Sequence, residues 1–143
     1  FGGAGELKIC ERIAQSKSIG NQVKFLGWVS GREKEKHLIN SSIFILPSYY
    51  EGMPMSVLEA MSYGMATVAS NVGGVSQIIE DGVNGICIEA GNIGLIVDIL
   101  IDLMQDEEKR RRLGQAAAKR IRQQFDITEN IKQLYRLYLE LLG

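Results

Sequence analysis

Two glutamates with seven residues between them, Glu51 and Glu59, stand in the stretch Pro47-Ser48-Tyr49-Tyr50-Glu51-Gly52-Met53-Pro54-Met55-Ser56-Val57-Leu58-Glu59-Ala60. The apolar run Ile43–Leu46 before it reads as a strand, and Val57, Leu58 and Met61 mark a helix after it. Pro54 suits the first turn of that helix, because the N–H it lacks would be unpaired there anyway. Glu51 then lies in the loop at the strand's carboxyl end, and Gly52 lets the backbone turn its N–H groups outward. A diphosphate placed there would meet the positive end of the helix dipole. Glu59, farther along the same helix, can reach a group bound beside the phosphates, and a carboxylate that accepts two hydrogen bonds suits vicinal hydroxyls. Each glutamate also has a plainer reading, Glu51 as a capping carboxylate and Glu59 as an exposed helix residue. The residues alone leave both open.

Two more loops have the same strand–glycine–helix character. Phe1-Gly2-Gly3-Ala4-Gly5-Glu6 precedes a helix, and Ser70-Asn71-Val72-Gly73-Gly74-Val75-Ser76-Gln77 joins a strand to another. Glycines there allow close backbone approach to a ligand, although a tight turn would use the same residues. Metal chemistry has little to work with. The cysteines, Cys10 and Cys87, form no CxxC pair, and His37 is the one histidine. Both cysteines read as small buried apolar residues, and His37 as a solvated residue of a polar helix.

The elements that position these loops follow from periodicity. Residues 23–26, Ile43–Leu46, Ala66–Ser70 and residues 85–88 read as short strands buried on both faces. Leu7, Cys10, Ile13 and Ala14 share one face of a first helix, Leu38 and Ile39 anchor a polar second one after Gly31, and residues 75–80 make a short fourth. Alternating strands and helices imply an α/β fold, a Rossmann-like doubly wound parallel sheet with helices on both faces, where ligands bind outside the carboxyl ends of the strands. The last third is helical. Leu95, Ile99 and Leu103 form a stripe with Leu100 and Met104 beside it, and Asp106 is placed to cap the next helix. The basic run Lys109, Arg110, Arg111, Arg112 reads as a solvated helix face. The final helix repeats Ile127, Ile131, Leu134, Tyr135, Tyr138 and Leu142 on one face, more apolar surface than a terminal helix needs.

Composition narrows the classes. The chain of 143 residues is 45% hydrophobic and 23% charged, ordinary for one globular domain. A formal net charge of −1 argues against a nucleic-acid partner and against simple electrostatic attachment to an anionic membrane. No apolar run approaches the ~20 residues that span a bilayer. No signal peptide is visible, and a cytoplasmic setting is expected.

The ordered set Pro47-Ser48, Glu51-Gly52, Glu59-Ala60-Met61, Gly64 and Gly73-Gly74 resembles the donor-binding, C-terminal domain of family 4 glycosyltransferases of the GT-B fold, with Glu51 and Glu59 as its E-x7-E motif. Val23-Lys24-Phe25-Leu26-Gly27 resembles that family's V-x-F-L-G segment, Asp81-Gly82-Val83-Asn84-Gly85 its D-G-x-N-G turn, and the stretch from Leu134-Tyr135 to Leu142 its last helix. The resemblance implies a retaining, metal-independent sugar transferase that needs no cofactor and takes a UDP-, GDP- or ADP-linked sugar as donor. It implies that Glu51 contacts the donor sugar near the reacting centre and that main chain at Gly52, Met53 and Pro54 holds hydroxyl or phosphate oxygens. Glu59 would bind the ribose, main chain near Trp28 and Val29 would touch the base, and the loop with Gly3 and Gly5 would lie near the diphosphate. Where the family often has Glu, this chain has Gln77.

The resemblance also implies that residues 1–143 are one nucleotide-sugar-binding domain, incomplete at its N-terminus. A missing N-terminal domain would hold the acceptor, a sugar or lipid-linked glycan, in a setting such as polysaccharide assembly. The full-length enzyme would then associate peripherally with the inner face of the cell membrane. The chain by itself is expected to bind nucleotide weakly and to transfer no sugar. Competing readings are a GT-B phosphorylase or epimerase relative, and a non-catalytic nucleotide-sensing or protein-interaction α/β module.

Overall fold

The computed structural model describes residues 6–142. Its centre is the strand of highest burial, Ala66–Ser70 (β2), in which every residue is buried. β2 is flanked by Ile43–Leu46 (β1) and Ile86–Ile88 (β3), all parallel, with Leu46 opposite Ala69 and Ser70 opposite Ile88. Parallel neighbours require crossovers. Met55–Ser62 (α3) joins β1 to β2, and Val75–Ile78 (α4) joins β2 to β3. Ile93–Gln105 (α5), Glu107–Gln124 (α6) and Ile127–Leu142 (α7) follow.

Side chains alternate across the sheet, so each face builds its own core. Phe44, Leu46, Ala69 and Cys87 pack with Val57 and Met61 of α3, Val75 and Ile78 of α4, and Ala117 of α6. On the other face Ile43, Ile45, Val68, Ile86 and Ile88 pack with Ile96, Ile99 and Leu103 of α5 and Leu113 of α6. Helices on both faces of a parallel sheet are the α/β arrangement that the apolar runs predict.

The chain divides into two compact units, Phe1–Ile39 and Asn40–Gly143. The first contains Leu7–Ser16 (α1) and Gly31–Ile39 (α2), with Ala14, Val29 and Leu38 buried. The second contains the sheet and the remaining helices.

Four expectations are corrected. Residues 23–26 form no strand, because a strand exists through its ladder and none of the described residues of that unit supplies a neighbour. Cys10 is exposed rather than buried, since of its helix only Ala14 is buried. Cys87 is half-buried on the α3 side of the sheet, and burial, then the nearby Asp81 charge, push its thiol pKa up. On α5 the inward face is Ile96, Ile99 and Leu103, while Leu95 is exposed. That helix is apolar nearly all round, so periodicity could not choose its face.

The basic run on α6 proves more than a solvated face. The Asp106 carboxylate accepts from the Lys109 N–H at 2.8 Å and caps α6. Lys109 reaches back to Asp102 at 2.7 Å, and Arg110 donates to the closing carbonyls of α5, Leu103 and Met104. Arg111 pairs with Glu108, whose carboxyl that hydrogen bond holds below its usual range. Arg112 donates to the Gly82 carbonyl at 3.4 Å. The run therefore ties α5 to α6 and α6 to the turn before β3.

Candidate functional site

A parallel sheet places all its carboxyl ends together, and there the loops after β1, β2 and β3 meet. The loop after β1 carries Glu51, half-buried, and Gly52 and Met53, exposed. Pro54 follows, buried, as the cap residue of α3 rather than a residue of its first turn; its carbonyl accepts from Val57 at 3.1 Å and Leu58 at 3.3 Å. No side chain caps α3. By contrast, Asn92 caps α5 and Asp106 caps α6. The positive end of α3 therefore stays available to an anion just behind Glu51.

The loop after β2 lies backbone to backbone against this one. The Gly74 N–H donates to the Gly52 carbonyl at 2.7 Å. A Cβ on Gly73 would stand 1.7 Å from the Glu51 carbonyl oxygen, and one on Gly74 2.6 Å from that of Gly52. Gly73 also has φ +54°, a conformation that side chains disfavour. The loop after β3 completes the group. Gly91, at φ +81°, passes the Tyr49 ring so closely that a Cβ would lie 3.0 Å from its hydroxyl oxygen.

Glu59 is half-buried in the second turn of α3, its carbonyl accepting from the Ser62 hydroxyl at 2.7 Å. Glu51, Gly52, Met53, Pro54 and Glu59 thus share one loop–helix unit, against which Gly73 and Gly74 of the next glycine loop are packed. Trp28, 86% exposed, and Val29, buried, belong to the Phe1–Ile39 unit. Gly3 and Gly5 lie outside the described residues. Gln77 offers its carbonyl to Arg120 at 2.9 Å.

The D-G-x-N-G turn sits before β3, at the opposite end of the sheet from Glu51. Its residues serve the fold. The Asn84 carboxamide accepts from Glu80 N–H at 2.9 Å, the Asp81 carboxylate accepts from Cys87 N–H at 2.8 Å, and Gly82 takes φ +72°. A cleft lined by Ser41, Ser42, Gly64, Glu107, Arg110 and Arg111 likewise opens near the amino end of β1. Its two cations are engaged with α5 carbonyls and Glu108. Among the described residues no three His, Cys, Asp or Glu are gathered as metal ligands, and no helix is long and apolar enough to cross a membrane.

Comparison with known proteins agrees with this architecture. The chain is 28% identical over 131 residues to the N-acetyl-alpha-D-glucosaminyl L-malate synthase of Bacillus anthracis, an alignment covering 92% of this chain and 34% of that protein. It spans about a third of the length of the curated relatives it matches. The crystal structure of the C-terminal domain of LpcC, a glycosyl transferase group 1 family protein from Francisella tularensis, superposes with TM-score 0.78 at 26% identity, covering 84% of this chain and 62% of that one. Anabaena HepE, crystallised with UDP, shares the fold at TM-score 0.87 and 23% identity, over 96% of this chain and 38% of that one. The parallel sheet with helices on both sides is that of a GT-B glycosyltransferase domain. The family model described as "Glycosyl transferases group 1" matches residues 1–120, and the chain belongs to that family.

Proposed function

We propose that this chain is the nucleotide-sugar-binding, C-terminal domain of a retaining, family 4 glycosyltransferase, and that the loop–helix unit from Glu51 to Glu59 holds the donor. One observation carries this reading: Glu51 and Gly52 stand at the carboxyl end of β1, directly before a helix whose N-terminus no side chain caps. A diphosphate is stabilised there by the N–H groups of the first turn of α3 and by the helix dipole, with no metal required. Glu51 sits where a sugar attached to that diphosphate would begin. Its carboxylate favours the positive charge that develops at the anomeric carbon as the bond to the leaving diphosphate breaks. Glu59, farther along the helix, accepts hydrogen bonds from the ribose hydroxyls.

The acceptor, a sugar or lipid-linked glycan, is held by a further N-terminal domain, and the whole protein works in the cytoplasm, peripherally at the inner face of the membrane. The 26% identity to a protein described as a C-terminal domain supports the domain assignment. The spacing of Glu51 and Glu59 favours a transferase over a phosphorylase or epimerase.

Calorimetric titration with UDP, GDP and ADP, and with one sugar nucleotide of each, tests the reading. Saturable binding to one base is expected, weakened by about tenfold or more in Glu59→Ala, since hydrogen bonds to a charged group are lost. In the full-length enzyme Glu51→Gln is expected to lower kcat by about 10²-fold with donor affinity kept. Unchanged kinetics in both variants would sink the assignment. Failure to bind any nucleotide, together with tight self-association, would favour the interaction module.

A further inference from the structure

Gly74 has φ −80° and ψ 1°, which any residue can adopt. Its lack of a side chain therefore answers to a contact and not to backbone strain. That contact is the Gly52 carbonyl, which accepts the Gly74 N–H at 2.7 Å and would stand 2.6 Å from a Cβ on Gly74. Gly73 makes the same kind of approach to the Glu51 carbonyl, which would lie 1.7 Å from a Cβ. In a trans peptide the C=O and the following N–H point in opposite directions. No peptide bond among the described residues is cis. With the Glu51 and Gly52 carbonyls turned toward the glycine pair, the N–H groups of Gly52 and Met53 are aimed away from it. Among the described residues neither N–H donates to a protein acceptor. Two directed donors with no protein partner are thus left beside Glu51, at a helix N-terminus.

We propose that Gly73 and Gly74 are positioning residues for donor recognition. By clamping the peptide planes at 51–52 and 52–53, they aim the Gly52 and Met53 N–H groups at the sugar of the donor and so set how strongly the sugar, as distinct from the nucleotide, contributes to binding. This rests on the donor-site reading above. The nucleotide end, served by Glu59, lies outside the clamp.

The test compares sugar nucleotides with free nucleotides on the wild-type chain and on Gly74→Ala. The Gly74→Ala methyl forces the Gly52 carbonyl to move while leaving the strain of φ unchanged. The ratio of the sugar nucleotide Kd to the free nucleotide Kd is expected to rise about tenfold, with the free nucleotide Kd nearly unchanged. Gly82→Ala, strained at φ +72° but with no atom within 4 Å of its Cβ, is expected to lower Tm and leave the ratio unaltered. A folded Gly74→Ala with the wild-type ratio would overturn the clamp while leaving the donor site standing. A wild-type chain that binds no nucleotide would overturn the donor-site reading, and the clamp with it. Should Gly74→Ala not fold, the Gly74 amide resonance of the wild type decides. It should shift more with the sugar nucleotide than with the free nucleotide, and an equal response to both would refute the proposal.

Discussion

Single glycines decide how closely the elements of this sheet unit approach. Gly114 lies inside α6, where glycine weakens the helix, yet a Cβ there would stand 1.9 Å from the Gly64 carbonyl oxygen. Gly64 is itself the left-handed residue that ends α3, at φ +73°, with the Met65 N–H returning to the Ala60 carbonyl at 3.2 Å. Gly114→Ala gains helix propensity and loses the close crossing of α3 and α6. Overpacking costs ~1–3 kcal/mol and exceeds the gain of at most about 1 kcal/mol. The variant is expected to unfold at lower urea concentration with an unchanged m-value; a midpoint at or above the wild type would contradict the contact. Sequence reading did find Gly52, Gly73 and Gly74, because each sits in a strand-to-helix loop where glycine has a known use. It missed the reason for Gly114, whose partner is fifty residues away and leaves no local signal.

At the scale of elements, strands buried on both faces were the most legible. Ile43–Leu46 and Ala66–Ser70 stand where their apolar runs predict, and β3 begins one residue later than expected. Residues 23–26 have the same composition and form no strand, since pairing is a nonlocal property. Caps divide similarly. Asp106 was legible before its acidic first turn, whereas Asp126 was not singled out. Its carboxylate accepts from the N–H groups of Thr128 at 2.8 Å and Glu129 at 3.3 Å, and these bonds hold its pKa below the ordinary value. A lowered carboxyl pKa means that the contribution is present above the unfolded value, ~3.9, and is lost as pH falls through the lower folded one. The amide shifts of Thr128 and Glu129 should accordingly titrate at a pH below that unfolded value. Asp126→Asn keeps an N-cap acceptor and should abolish the titration while preserving α7. A midpoint at or above the unfolded value would show that the cap does not form.

The whole molecule distributes its apolar burial unevenly. Leu113 on α6 is 1% exposed within the sheet core, whereas α7 buries no residue and Leu134 is 51% exposed. The excess apolar surface foreseen on the last helix is thus real, together with exposed Ile93, Val97, Ile101 and Met104 on α5. The same deletion should then have different costs at the two places. Leu113→Ala removes a fully packed side chain and is expected to cost about 2–5 kcal/mol. Leu134→Ala removes one that water already reaches, and should stay within ~0.5 kcal/mol of the wild type. Urea unfolding at two protein concentrations checks both values at once. Association through α7 would make stability rise with concentration, by mass action, and would make Leu134→Ala costly only at the higher one. Equal costs for the two variants at both concentrations would mean that the α7 face is packed within the monomer, contrary to the exposure of every side chain along it.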